Sequence, residues 1–138
     1  MSQSLYEKDF HGWALDQAAR IRRGEPIDGE HVAEELESLG KSEQNRLESH
    51  LIVLFMHMLK WDYQADHRSR SWDLTIKEQR RQIQRVLKQN PSLQPLLEET
   101  IQEAYRSAVT HAAIETGLDV DDFPTQCPYA SEDLVSKE

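Results

Sequence analysis

"HLIVLFMHMLKW", residues 50–61, is the most apolar stretch of the chain, and its reading decides the fold. At 100° per residue, Leu51 through Leu59 place apolar side chains all round a helix, the pattern of an element surrounded by others. The uninterrupted run Leu51 to Met56 is far short of the roughly 20 residues that cross a bilayer as a helix, so this is a core helix and no membrane span is expected. Ser42 can cap it, and it should reach Trp61.

Working outward toward the start, Tyr6, Phe10, Trp13, Ala14, Gln17 and Ile21 fall on one stripe at three- and four-residue steps, predicting a first helix from Leu5 or Asp9 to Arg23, ended by Gly24 and Pro26. Asp28 is an N-cap for a short second helix through Leu39, with Val32, Leu36 and Leu39 opposite Glu30, Glu34 and Glu37. Gly40 supplies its C-terminal turn. Toward the end, "DYQADHRSRS" reads as a loop, and a fourth helix starts near Ser71 and stops at Asn90, which Pro91 restricts. Trp72, Ile76, Gln79, Ile83, Val86 and Leu87 line one side of it, and Lys77, Arg81, Arg85 and Lys88 make a basic stripe roughly opposite. Ser92 can cap a fifth helix, with Leu97, Ile101, Ala104, Tyr105, Ala108 and Ala112 inward and Gly117 at its end. The tail after Gly117, with two prolines and a run of acids, predicts an ordered but irregular strap with a last turn from Ser131 to Val135.

No segment alternates convincingly enough for a strand, and no internal repeat occurs. The fold class is therefore all-α: one domain over residues 1–138, a bundle of about five helices with a buried central third helix and a C-terminal strap. Its expected core includes Phe10, Trp13, Leu36, Leu51, Leu54, Phe55, Met58, Ile76, Ile83, Ile101 and Tyr105. A chain of 138 residues with 38% hydrophobic and 30% charged residues is large enough to bury one core without metals or disulfides. The single cysteine, Cys127, cannot form an internal disulfide, and no signal core with a cleavage site opens the chain, so a cytoplasmic location is expected.

Charge is unevenly spread. Residues 1–59 carry 6 Lys/Arg against 11 Asp/Glu, residues 60–90 carry 8 against 4, and residues 91–138 carry 2 against 10, giving −5, +4 and −8 within a net −9. The basic middle can mark a nucleic-acid footprint or a face that pairs with acidic surfaces, while the chain as a whole repels phosphate.

The stretches "LYEKDFHGWALDQAARIRRGE", "HVAEELESLGKSE", "HMLKWDYQ", "RSRSWDLTIKEQRRQI", "NPSL" and "ETGLDVDDFPTQCPY", in that order, resemble the bacterial domain of unknown function 29 family. The resemblance runs from Leu5 to about Leu134. It implies a small all-helical bacterial protein and supplies no activity, cofactor or partner.

His50 and His57 are separated by about 10.5 Å along a helix, too far to share a metal, since helical ligand pairs usually stand four apart. The bland alternative puts His57 in the core, bonded to a backbone carbonyl or carboxylate, and His50 nearer solvent. A carboxylate-and-histidine metal site would have to draw His31, Glu35, His57, His111 and Glu115 from three helices meeting at one level, as the alternative of a metal-dependent bundle enzyme centred on His57 requires. Cys127 reads as a small apolar filler, no nucleophile motif or Gly-rich phosphate loop occurs, and no cofactor is expected. The best surface candidate is the strip "KWDYQADHRSRSW" with the helix after it, where Lys60, Arg68, Arg70, Lys77, Arg81, Arg85 and Lys88 can form one basic patch, and Trp61 and Trp72 anchor the turn. The expected function is a non-enzymatic interaction or adaptor module that uses this face on a protein partner or a second copy. A nucleic-acid-associated regulator is the remaining alternative.

Overall fold

The structure, a computed structural model, describes residues 4–135. These residues are all-α, with no strand among them. The helices are α1 (Leu5–Lys8), α2 (Phe10–Arg23), α3 (Gly29–Tyr63), α4 (Arg70–Gln89), α5 (Leu97–Thr116) and α6 (Ser131–Val135), with short 3₁₀ turns at Ala65–His67, Pro91–Leu96 and Val120–Asp122. The chain divides into two compact units, residues 1–42 and 43–138.

The expected break at Gly40 does not occur. The second and third expected helices are one, the 35-residue α3, and Ser42 lies inside it instead of capping a new helix. Among the described residues, positive φ angles are confined to Gly24 and Gly117, so Gly40 keeps helical backbone, and nothing lies within 4 Å of the place its Cβ would occupy. An interior glycine costs a helix about 1 kcal/mol relative to alanine, and good helix formers continue on both sides, so the penalty weakens the helix without ending it.

In the first unit, Asp9 caps α2 by accepting from Gly12 N at 3.0 Å, and Gly24 in the left-handed region (φ 71°) ends it, with Glu25 N–H bonded back to Arg20 O. Trp13 and Gln17 are its buried residues. Phe10 and Leu36, expected in the core, are 49% and 62% exposed. Three short helical pieces cannot wrap both sides of their stripes, and what they enclose is the side that carries Trp13.

In the second unit Leu47, Leu51, Leu54, Phe55 and Leu59 of α3 are buried against Ile76, Ile83, Val86 and Leu87 of α4 and Ile101, Ala104, Tyr105, Ala108, Val109 and Ala112 of α5. Ser69 caps α4 by accepting from Trp72 N at 3.2 Å. The Ser92 cap expected for the fifth helix is replaced by the 3₁₀ turn Pro91–Leu96, and α5 begins at Leu97. Two prolines in that turn remove amide donors, which favours a short tight turn before the α-helix settles. After Gly117 (φ 78°) the tail closes over this core: Tyr105 OH donates to Pro124 O at 2.7 Å, Tyr129 stacks on Phe55, and Phe123 and Leu134 are buried.

Gly40→Ala should stabilise the protein by about 0.5–1 kcal/mol in chemical unfolding, because the site is helical and open. Gly117→Ala should destabilise by about 1 kcal/mol, because its left-handed backbone opposes a Cβ. A destabilising Gly40→Ala would mean that the helix breaks there.

Candidate functional site

The polar centre of the first unit is Asp28, at the N-terminal end of α3. Its backbone N–H donates to Gln17 Oε1 at 2.7 Å, which satisfies the buried Gln17. Its Oδ2 accepts from Trp13 Nε1 at 3.3 Å and lies 2.7 Å from His31 Nδ1. His31 in turn stacks face to face on Tyr6, centroids 3.9 Å apart, and Tyr6 OH hydrogen-bonds Glu35. Phe10 and Trp13 complete the aromatic cluster around Tyr6. The hydrogen bond from His31 holds Asp28 below its ordinary carboxylate range, and the same bond raises His31. The bond to Glu35 pushes the Tyr6 phenol up to about 12. His31 is thus held through Nδ1 by Asp28 and through its ring face by Tyr6. What the arrangement does is pin α1 and α2 to the start of α3.

Several large apolar side chains of this unit are exposed among its charged residues. Among the described residues, eleven large apolar side chains are at least 40% exposed, and seven of them, Leu5, Phe10, Leu15, Ile21, Ile27, Leu36 and Leu39, lie in the first 42 residues. Leu36 and Leu39 share the Val32 stripe of α3, and the helix segment bearing them is acidic through Glu30, Glu34, Glu35 and Glu37.

The basic residues named from sequence differ in their partners, and five of them, Arg70, Lys77, Arg81, Arg85 and Lys88, lie along α4. Lys60 Nζ reaches Glu115 at 2.7 Å and lies over the Trp72 ring, and its side chain is only 12% exposed. Arg68 donates to Trp61 O at 2.8 Å and stacks on the Trp61 ring. Lys77 pairs with Asp73 and Arg81 with Glu78, one helical turn away in each case. Arg70, Arg85 and Lys88 stand exposed on α4.

The histidine and carboxylate residues of the metal alternative are not brought together: among the described residues, no group of three or more His, Cys, Asp or Glu is placed to hold an ion. His31 and Glu35 are occupied by Asp28 and Tyr6. His57 Nδ1 lies 2.9 Å from Val53 O, so that nitrogen carries the proton, and His50 Nδ1 meets Gln79 Oε1 at 2.7 Å. Glu115, though close enough to feel His57 and His111, is spent on Lys60, whose hydrogen bond keeps its carboxyl below the ordinary range. Burial raises the Cys127 thiol, which suits a packed filler and not a thiolate nucleophile.

The family described as Domain of unknown function DUF29 matches residues 5–138. The chain belongs to the DUF29 family. No curated protein and no solved structure matches it.

One feature of this DUF29 chain was not singled out from its sequence, a cavity of about 290 Å³ against α4 with Arg80 and Tyr129 in its wall. The signal was present: Arg80 falls four residues after Ile76 and three before Ile83, an arginine on the apolar stripe. Tyr129 lies in the irregular tail, where no period marks it.

The Asp28–His31 pair gives a pH test. His31 is raised in the folded state, so its share of stability is complete below its ordinary 6.5 and is lost as pH rises through the raised value. Asp28 is depressed, so its share is present above its ordinary 3.8 and is lost as pH falls through the lowered value. The hairpin should therefore be best held between those two ordinary values. The His31 ring protons should titrate above 6.5 by NMR, and Asp28→Asn should return the midpoint toward 6.5; an unchanged midpoint in the variant would refute the pairing.

Proposed function

We propose that this chain is a non-enzymatic protein-interaction module that assembles with a second copy of itself through the exposed apolar side of residues 5–39. The observation that carries this reading is the concentration of seven exposed large apolar side chains in the first 42 residues. A solvated surface scatters such residues singly, whereas a cluster on one small unit marks a surface meant to be covered.

Charge selects a second copy as the occupant. The α3 segment 29–41 has four glutamates against Lys41, a net −3, whereas α4 (Arg70–Gln89) has six Lys/Arg against Asp73 and Glu78, a net +4. The α4 surface also offers an apolar contact, Leu74, which is half exposed among Arg70, Lys77 and Glu78. An acidic apolar face and a basic face on the same chain complement each other between copies, and long Lys and Arg stems cover leucines while their heads reach carboxylates. The basic face keeps the interaction role read from sequence, with Arg70, Arg85 and Lys88 as its exposed cations and an acidic protein surface as its target.

Sedimentation velocity of the full chain should show a dimer that weakens as salt rises. Leu36→Glu combined with Leu39→Glu should raise the dissociation constant by about tenfold or more, with helicity by circular dichroism unchanged. Arg85→Glu with Lys88→Glu should weaken it in the same direction. A chain that stays monomeric at every concentration, or a dimer indifferent to both pairs of changes, would overturn the proposal.

A further inference from the structure

The boundary between the two compact units falls inside a helix, between Ser42 and Glu43 of α3. On the near side of that boundary the last tie to the first unit is Glu35, which accepts the hydrogen bond from Tyr6 OH. On the far side the first tie to the second unit is Glu43, which accepts from Asn90 Nδ2 at 3.2 Å, and one turn later Leu47 is fully buried. Between these two ties stand seven consecutive residues, 36–42, all of them exposed. Among the described residues, no side chain of this stretch makes a hydrogen bond, an ion pair or a ring contact. Glu37 and Lys41 have the spacing of a stabilising pair, yet no ion pair joins them.

A helix with every side in water is held only by its own backbone bonds and its residues' propensities. A few turns of such helix are marginal in water, and folded proteins stabilise theirs by packing one face. Here no face is packed, and three of the seven residues, Ser38, Gly40 and Ser42, are weak helix formers. Gly40 alone makes local opening about fivefold easier than alanine would. Opening this stretch breaks solvent-exposed backbone bonds and moves no buried side chain, whereas opening α3 at Leu51 or Leu54 would tear the core of the second unit. From this placement we infer that residues 36–42 are a helical hinge: α3 opens there about Gly40, and the first unit turns independently of the second while both keep their folds. Hinges absorb large changes of φ and ψ at a few residues, and glycine, free of a Cβ, reaches conformations that strain other residues. The continuous α3 is the closed state of this hinge. Leu36 and Leu39 also belong to the docking side proposed above, so a second copy covering them holds the hinge shut. The hinge itself is a property of the single chain and does not rest on that reading.

The test is hydrogen–deuterium exchange of the full chain, diluted until sedimentation velocity shows monomer, so that the hinge and the docking proposal fail separately. Amides of residues 40–46, which bond to the carbonyls of residues 36–42, should exchange at least about tenfold faster than those of residues 32–35. They should exchange about a hundredfold faster than those of residues 51–59. Gly40→Ala should slow residues 40–44 about fivefold and leave residues 51–59 unchanged. Gly40→Pro, which removes an amide donor and opens the helix permanently, should leave both units folded. In that variant the His31 ring should still titrate above 6.5, and residues 51–59 should keep their protection. Protection that declines evenly from residue 51 back to residue 29, with no minimum around Gly40, would show the first unit fraying as a whole and would overturn the hinge. A Gly40→Pro protein that loses the His31 signature or the protection of residues 51–59 would overturn it too, because the two folds would then depend on the unbroken helix.

Discussion

The uninterrupted backbone hydrogen bonding of α3 through Gly40 is the constraint on which the rest of the structure depends. Had the helix ended there, a turn would have given Leu36 and Leu39 a new direction and a chance of intramolecular cover. α3 runs from Gly29 to Tyr63 as one helix, and within the first unit the apolar stripe of its first turns meets α1 and α2. Those two pieces are spent on the other side, around Trp13, Gln17 and Asp28. The exposure of Leu36 (62%) and Leu39 (65%) is thus a consequence of local helix continuity.

The first unit is also too small to be self-sufficient by burial alone. About forty residues is the size at which a hydrophobic core needs help from a staple or an association. Its staple is polar: Asp28 joins α2 to α3 through Gln17, Trp13 and His31, and the Tyr6–Glu35 bond adds a second tie. Polar ties fix geometry, but covering apolar surface stabilises far more per residue, at about 25 cal/mol per Å². The second unit has the opposite economy, with Leu47, Leu51, Leu54, Phe55 and Leu59 fully buried and the tail strapped across Tyr105 and Phe55.

Much of this was legible in the sequence where a single period ruled. The stripe of Ile76, Ile83, Val86 and Leu87 placed α4 within a residue of its ends, and the Ile101-to-Ala112 stripe gave the inward face of α5. The apolar character all round Leu51 to Leu59 marked the central helix. Gly40 misled because glycine weakens a helix and ends it with equal plausibility on paper; which one happens depends on whether a left-handed turn gains anything, and here it does not. Leu36 misled because a helical stripe says which side is apolar and not whether anything covers it. The basic strip was legible as composition, but pairing is three-dimensional: Glu115, which takes up Lys60, lies fifty-five residues away in sequence. The cavity at Arg80 needed α3, α4 and the tail together, and the tail carries no period from which Tyr129 could have been placed. Membership of the DUF29 family was legible from the order of short stretches across almost the whole chain.

The central claim is that the first turns of α3 and the face of α2 are covered by another copy. Hydrogen–deuterium exchange of the full chain, followed by mass spectrometry from dilute to concentrated samples, tests it directly. Peptides covering residues 29–42 and 70–89 should gain protection together as concentration rises, while those covering Leu97 to Thr116, already in the core, should not change. Protection in residues 29–42 that is independent of concentration would contradict it.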